Sequence, residues 1–250
     1  MKITNRFFSV GMLGALLSGI SVNSHAAIDW VFSSGCVSGC GSAFNGNVRE
    51  YSSAGNSVFA SAWSNTGSGS VLQTQKLHEY SGSGLGVQNR GESTSSPNHS
   101  TDNSGYIDSV LFDFDGKAVT LEQVRIGWKY EDADITLLAY TGVGAPNLAG
   151  GYSYSSLASN GWTHVGDYTN LSTGSNKDVS SVYTSSYWLI SAFNPQVSSA
   201  NISSGNDYFK IKSISGSMPE PPGSVPEPGS LLLLGLTLPL LAWSRRRARA

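Results

Sequence analysis

The stretch VLFDFDGKAVTLEQVRIGWKY, from Val110 to Tyr130, carries the pattern that decides the fold. It contains two short runs rich in β-branched and aromatic residues, the first ending at Phe114 and the second beginning at Val119. Runs of this composition are typical of β-strands. Between them, Asp115-Gly116 is a pair that tight hairpin turns prefer. The stretch therefore predicts two strands joined by a hairpin turn.

The same pattern recurs along most of the chain. Apolar runs separated by Gly/Ser/Asn clusters predict strands at residues 28–32, 58–63, 71–80, 106–114, 119–128, 134–140, 187–193 and 208–214. Only the terminal segments have helical character. Many short strands divided by turn residues indicate an all-β fold rather than alternating β and α units. We therefore predict a single antiparallel β-sandwich, jelly-roll-like, over residues 27–217.

The N-terminal residues have the features of a secretory signal peptide. Lys2 and Arg6 precede an apolar run, and Ser24-His25-Ala26 places small residues at the positions that a signal peptidase reads. We expect cleavage after Ala26, so that residues 1–26 are the signal peptide; an uncleaved N-terminal anchor is the alternative. Signal peptidase and the Sec translocon are the partners that this segment predicts.

The C-terminal residues join a spacer, an apolar segment and a basic tail. Five prolines make residues 218–229 an extended spacer that contains Pro226, Glu227 and Pro228. Thirteen largely apolar residues follow at 231–243. As a helix rising ~1.5 Å per residue they cover about 20 Å of a hydrocarbon core near 30 Å, so residues 230–250 predict a short membrane helix with a tail. The tail holds four basic residues, Arg245, Arg246, Arg247 and Arg249.

These C-terminal elements resemble a known sorting signal. The Val225-Pro226-Glu227-Pro228 motif, the leucine-rich segment and the arginine tail resemble, over residues 225–250, the PEP-CTERM signal of Gram-negative bacterial surface proteins. The resemblance implies exosortase, a membrane-embedded enzyme that removes the tail near the motif, as a partner. Because basic residues beside an apolar segment stay cytoplasmic, we expect transient inner-membrane anchoring with a cytoplasmic C-terminus, then a cell-surface or extracellular location. A plain membrane anchor is the alternative.

A second resemblance covers the middle of the chain. A subgroup of exosortase-dependent surface proteins is similar in the order of its motifs, which here are Pro97-Asn98-His99, Asp102-Asn103, Gly127-Trp128, Asp132-Ala133-Asp134, Ala139-Tyr140-Thr141-Gly142 and the run from Tyr187 to Asn194. This resemblance implies a fold and a cellular location, but it implies no biochemical activity.

The charge of the exported part argues against a nucleic-acid partner. Removing residues 1–26 and 230–250 takes away six of the fifteen basic residues and none of the seventeen acidic ones, which leaves a net charge of −8. Binding to phosphates needs a basic face. An acidic surface rich in serine, glycine and asparagine fits a soluble extracellular protein instead.

The two cysteines, Cys36 and Cys40, predict a disulfide. In an exported chain with no other cysteine a bridge between them is favoured, and the flanking glycines allow the backbone to bend. Closing so short a loop contributes about 2 kcal/mol on a chain-entropy estimate. The bridge is therefore expected to fix one loop rather than to hold the domain together.

Acidic residues predicted to lie at strand ends form a candidate calcium site. Calcium prefers oxygen ligands, and extracellular modules bind it with few charges. The candidate ligands are Asp102, Asp108, Glu131, Asp132 and Asp134. The alternative is that these residues serve turns, since Asp and Asn beside Gly commonly do so. No other cofactor is predicted.

Catalysis is considered for one constellation. His99, followed by Asp102 and Asp108 among many serines, has the residue types of a base, its orienting group and a nucleophile. The chain has neither a Gly-x-Ser-x-Gly elbow nor a His-Glu-x-x-His helix, and serine is so abundant that its proximity carries little information. We therefore predict no catalytic residues and no enzyme activity.

These observations predict an exported surface or extracellular-matrix protein, sorted by exosortase, with a structural or matrix-associated role. The alternative is a carbohydrate-binding module for the cell's own exopolysaccharide. Aromatic side chains form the sugar platform of such a module. The candidates are Trp63, Trp128, Tyr130, Trp162 and Trp188, although tryptophan in a β-sandwich more often belongs to the core.

Overall fold

The computed structural model describes residues 27–41, 48–93 and 95–219. These residues form fourteen β-strands and two short 3₁₀ turns, without an α-helix. The prediction of an all-β antiparallel fold is confirmed. The predicted signal peptide and C-terminal membrane helix lie outside the described residues. Within the described residues, no helix has the length and apolar character needed to span a membrane.

The strands are joined by both short turns and longer loops. In chain order they are β1 (Ile28–Val31), β2 (Val48–Ser53), β3 (Asn56–Ser64), β4 (Gln73–Tyr80), β5 (Gly84–Gln88), β6 (Thr101–Asp102), β7 (Asp108–Asp113), β8 (Val119–Glu131), β9 (Ile135–Tyr140), β10 (Trp162–Tyr168), β11 (Asn176–Asp178), β12 (Thr184–Ser185), β13 (Tyr187–Ala192) and β14 (Asp207–Ser217). The 3₁₀ turns, Tyr154–Ser156 and Ala158–Asn160, precede β10.

One continuous antiparallel sheet folds over itself into a sandwich. Its first layer has the strand order β10-β9-β13-β7-β3, and its second layer has the order β5-β14-β8-β11. Strand β4 joins the layers, because residues 73–75 pair with β3 and residues 76–80 pair with β5. The short strands extend the edges: β2 pairs with β3, β12 with β8, and both β1 and β6 with β14.

The apolar side chains of the two layers meet in one core. In β8 the alternation of buried and exposed positions shifts at Glu122, where β8 has one more residue than its partner β14. This bulge lets both Leu121 and Val124 point inward. The largest fully buried side chains include Trp30, Phe32, Phe112, Phe114 and Trp188. Each buried aromatic removes much apolar surface from water at ~25 cal/mol per Å², so this core is the main source of stability.

The turn at Asp115-Gly116 is present, but the strands that it joins do not pair. Both residues have the positive φ of a tight turn, 55° and 73°, and the Lys117 amide donates to the Phe114 carbonyl at 3.0 Å. Strand β7 lies between β3 and β13 in the first layer, whereas β8 lies beside β14 in the second. The predicted hairpin is therefore wrong, because distant strands occupy both edges of β7 and the turn crosses between layers.

Candidate cation-binding site

Three carboxylates converge where β6, β7 and the loop after β5 meet. One ligand atom each of Glu92, Asp102 and Asp108 lies within 4.8 Å of the other two, and we refer to these three residues as the first cluster. Asp102 is in β6, opposite Tyr208 of β14, and Asp108 is the first residue of β7, opposite Ser64 of β3. Asp102 and Asp108 are completely buried. The sheet pairing therefore fixes two of the three carboxylates in the interior.

The hydrogen bonds of the first cluster leave part of it unsatisfied. The Asn89 side-chain amide donates to Glu92 Oε1 at 2.6 Å and to Asp108 Oδ1 at 3.2 Å. The Ser104 backbone amide donates to Asp102 Oδ1 at 3.0 Å. None of the salt bridges between described residues involves these carboxylates. Within the described part of the chain, their negative charges therefore face one another without a basic partner in a salt bridge.

The surroundings favour the neutral form of each of these acids. Burial raises the pKa of Glu92 to about 7. Burial and the charge of Glu92 raise the pKa of Asp102 to about 8. Burial, and then the charges of Asp102 and Glu92, raise the pKa of Asp108 well above its ordinary value. Near neutral pH the first cluster must hold protons or a cation, because the alternative is several buried, uncompensated charges.

A second group of carboxylates lies nearby. One ligand atom each of Asp132, Asp134 and Asp207 lies within 4.8 Å of the other two, and we refer to these residues as the second cluster. Its oxygens accept backbone hydrogen bonds: Asp207 Oδ1 from the Asp134 amide at 2.7 Å, and Asp134 Oδ1 from the Asn170 amide at 2.7 Å. Burial raises the pKa of Asp207 to about 7. These contacts hold the loops around the second cluster together.

Asn103 connects the two clusters. It directly follows Asp102 of the first cluster, and its Nδ2 donates to Asp207 Oδ2 of the second cluster at 2.6 Å and to the Phe193 carbonyl at 3.1 Å. Its Oδ1 accepts from the Gly205 amide at 2.9 Å and from the Asp207 amide at 3.1 Å. Asn103 thus uses both donors and both acceptor positions of its side chain in the interior.

The raised pKa values predict a pH-dependent stability. With divalent cations chelated, we expect the free energy of unfolding to fall as pH rises from about 6.5 to about 7.5. Glu92, Asp102 and Asp207 have folded-state pKa values of about 7, 8 and 7, whereas the same groups in the unfolded chain are already ionised at this pH. The folded state therefore binds more protons and loses this stability as they dissociate. Urea unfolding at fixed ionic strength measures the effect.

Other titrating groups oppose this trend mainly outside that pH window. Burial lowers the pKa of His78 and of His99, which affects stability mainly below their ordinary value of 6.5. Burial lowers the pKa of Lys210 to about 8, which acts above the window. A stability that rises between pH 6.5 and 7.5 in chelator would contradict the prediction, because it would mean that the buried carboxylates are compensated.

The structure divides the residues of the predicted calcium site between the two clusters. Asp102 and Asp108 belong to the first cluster, and Asp132 and Asp134 belong to the second. Glu131 is in neither, and it has a positive φ of 54° at the end of β8. Sequence reasoning missed Glu92 and Asp207, which complete the clusters. Both follow a glycine turn, Glu92 in the loop after β5 and Asp207 as the first residue of β14, and this position beside a glycine turn was the available signal.

His99 packs in an aromatic group rather than against the carboxylates. Its ring centroid lies 4.8 Å from that of Tyr80, and its Nδ1 is buried without a hydrogen-bond partner among the described residues. Lys210 Nζ lies 3.6 Å from the centre of the Trp128 ring and 4.7 Å from that of Tyr80. His99 was considered from the sequence as a base oriented by Asp102 or Asp108. Among the described residues, no hydrogen bond joins His99 to either carboxylate.

The predicted disulfide is present, and it belongs to neither cluster. Cys36 and Cys40 are bonded with their Cα atoms 5.8 Å apart. Their loop is attached to β2, because the Val37 amide donates to the Glu50 carbonyl at 2.8 Å. The predicted sorting residues, Pro226, Glu227 and Pro228, and the tail residues, Arg245, Arg246, Arg247 and Arg249, lie outside the described residues.

The C-terminal region matches a known family model. Residues 224–248 match the PEP-CTERM protein-sorting motif. The chain carries a PEP-CTERM sorting motif. The motif covers about a tenth of the chain and includes the Pro-Glu-Pro triplet, so this prediction is confirmed. A PEP-CTERM motif marks an exported surface protein for exosortase-dependent sorting through a membrane-anchored intermediate. No curated protein matches the chain, and no solved structure does.

Proposed function

We propose that the chain is an exported surface or extracellular-matrix protein whose β-sandwich has a structural, matrix-associated role. The observation that carries this proposal is the PEP-CTERM motif at residues 224–248, which directs an exported protein to exosortase. The buried aromatic core and the many paired strands fit a domain that must remain folded outside the cell. We assign no catalytic role to His99 or to the acidic clusters.

The proposed route follows the order of the segments. The Sec translocon exports the chain, signal peptidase cleaves after Ala26, and the apolar segment at residues 231–243 holds the protein in the inner membrane. The arginines keep the C-terminus cytoplasmic, so the Pro-Glu-Pro triplet lies just outside the membrane. Prolines on both sides of Glu227 disfavour a helix there, which suits recognition by exosortase. Removal of the tail then releases the domain to the surface.

Carbohydrate binding is the alternative role for the domain. The positions of the aromatic side chains support it less well than they support a structural role. Trp63, Trp162 and Trp188 are buried in the interior. Tyr130 is 49% exposed and packs edge-on against Tyr208, with ring centroids 5.7 Å apart. Binding of the purified protein to the cell's exopolysaccharide that disappears in Tyr130→Ala would favour this alternative over a purely structural role.

Processing at the PEP-CTERM motif gives a direct test of sorting. We expect Glu227→Ala, or deletion of Arg245, Arg246, Arg247 and Arg249, to leave an unprocessed form in the inner membrane. The first change removes the acidic residue between the two prolines, and the second removes the charges that hold the tail on the cytoplasmic side. Intact-mass spectrometry of the surface-released and membrane fractions measures the outcome.

A matched control changes an acidic residue outside the triplet. Glu220→Ala alters the same spacer upstream of the motif, and we expect this variant to be processed and released like the wild type. If the surface-released wild-type protein retains an intact C-terminus through Ala250, the sorting proposal is wrong and residues 230–250 act as a plain anchor.

A further inference from the structure

The first cluster differs from the second in how its charges are balanced. Backbone amides donate to carboxylate oxygens in both clusters, but only in the second do the charges of Lys129 and Lys177 favour the ionised form of a member, Asp134. In the first cluster, two of the three carboxylates are completely buried, and no salt bridge between described residues reaches any of the three. Among the described residues, the first cluster is therefore the one whose charges are not balanced by a nearby basic side chain.

Two buried oxygen atoms at the first cluster have no hydrogen-bond partner among the described residues. Asp108 Oδ2 is one of them, and the hydroxyl of Ser64 is the other. Ser64 and Asp108 are directly opposite in the β3–β7 pair, and both are completely buried. The Ser64 hydroxyl is close enough to favour the ionised form of Asp108, but the two groups do not reach hydrogen-bond geometry. Buried oxygens are rarely left unpaired, so their presence points to a missing partner.

From this arrangement we propose that Glu92, Asp102 and Asp108 bind a divalent cation, and that the cation is calcium. All the candidate ligand atoms are oxygens, which suits calcium and does not suit zinc. Calcium takes about 6–8 oxygen ligands in irregular geometry, so the carboxylates, the Ser64 hydroxyl and water can fill its coordination sphere. Magnesium requires a near-ideal octahedron and gives up its water reluctantly, so it fits a buried, irregular cluster less well.

Asn89 fixes the position of Glu92 in the first cluster. Its side-chain Oδ1 accepts from the Gly91 amide at 3.0 Å, and its Nδ2 reaches both Glu92 and Asp108. Asn89 therefore holds the loop after β5 against the start of β7. Glu92 is only partly buried, whereas Asp102 and Asp108 are enclosed, so an ion would enter on the Glu92 side.

Thermal unfolding of the full chain in non-ionic detergent tests this site, with calcium alone as the probe. Extracellular modules bind calcium with a Kd of about 10⁻⁴–10⁻³ M, so about 10 mM calcium is roughly 10–100 times Kd. Binding to the folded state alone then raises the unfolding midpoint by roughly 3–10 °C relative to chelator in a domain of this size. An unchanged wild-type midpoint would overturn the proposal.

Asp108→Asn distinguishes binding from a merely structural role. Asparagine has nearly the same shape and keeps the oxygen that accepts from Asn89, but it removes one charge. We expect this variant to lose the calcium response and, in chelator, to unfold at a temperature equal to or above that of the wild type, since repulsion among the carboxylates is relieved. Glu92→Gln, at the partly exposed edge, is a second variant and is expected to lose most of the response.

Asp134→Asn is the matched control, because it makes the same change in the second cluster. We expect its calcium response to equal that of the wild type. A response that survives both Asp108→Asn and Glu92→Gln would show that calcium binds elsewhere on the acidic surface. A response that disappears only in Asp134→Asn would place the cation in the second cluster. Either result would overturn the assignment to Glu92, Asp102 and Asp108.

Discussion

Trp188→Ala is expected to lower the free energy of unfolding by about 3–5 kcal/mol. Trp188 is completely buried at the centre of the first layer, where β13 lies between β7 and β9. Its Nε1 donates to the Val119 and Ser185 carbonyls, each at 3.1 Å. Alanine would leave a large cavity and two carbonyl groups without this donor. Urea unfolding of the full chain in detergent, followed by tryptophan fluorescence, measures the change.

Trp188→Phe separates the loss of volume from the loss of the donor. Phenylalanine keeps most of the apolar bulk but has no N–H group, so we expect a smaller loss of about 1–3 kcal/mol. Equal losses in the two variants would mean that the hydrogen bonds, and not the packing, make the main contribution of Trp188. A loss below 1 kcal/mol for Trp188→Ala would contradict the buried position.

Asn103→Ala is expected to have an effect of similar size, about 3–5 kcal/mol, for a different reason. The substitution removes few atoms, but it breaks four hydrogen bonds in the interior. The Gly205 and Asp207 amides, the Phe193 carbonyl and one carboxylate oxygen of Asp207 would lose their partner. Each buried polar group left unpaired costs about 1–3 kcal/mol, and rearrangement of the loop or entry of water offsets part of the sum.

Asn176→Ala serves as the comparison. The Asn176 side chain makes one exposed hydrogen bond, to Gln123 Oε1 at 2.7 Å, so its removal should change stability by less than about 0.5 kcal/mol. If Asn103→Ala is no more destabilising than Asn176→Ala, then the four hydrogen bonds of Asn103 contribute little to the free energy of unfolding. The link that Asn103 makes between the two clusters would then not stabilise the fold. Chemical unfolding of both variants under identical conditions decides between these outcomes.

The strands that the sequence predicted share one property, although some missed strands, such as β10 with Trp162 and Tyr168, have it too. All eight predicted runs contain β-branched or aromatic residues, and each overlaps a strand. Strand β5, Gly84–Gln88, was missed because it contains two glycines. A Cβ on Gly84 would lie 2.1 Å from the Ile211 carbonyl oxygen, and one on Gly86 would lie 2.2 Å from that of His99. Close packing against the neighbouring backbone requires glycine here, and a propensity scale gives no sign of it.

Long-range strand pairing limited how much of the turn's surroundings and of the calcium site could be predicted from the sequence. Asp115-Gly116 specified its own turn, because a positive φ is a local preference. It could not specify that β7 would pair with β3 and β13 instead of β8. In the same way, loop carboxylates were recognisable as oxygen donors, but the sequence could not show that Asp102 would meet Glu92 while Asp134 would meet Asp207. Those contacts follow from strand register.

The pairing of β1 with β14 bears on the time at which the protein can fold. Ile28 lies opposite Gly216 and Val31 opposite Ser213, so the first strand of the sandwich pairs with the last. A chain that crosses a membrane from its N-terminus delivers Trp30, a core residue, long before its partner strand. Contacts between such distant segments form slowly and only when both are present. On the proposed export route, the sandwich therefore closes only after almost the whole domain has crossed the membrane, and until then the chain stays unfolded enough to pass through the translocon.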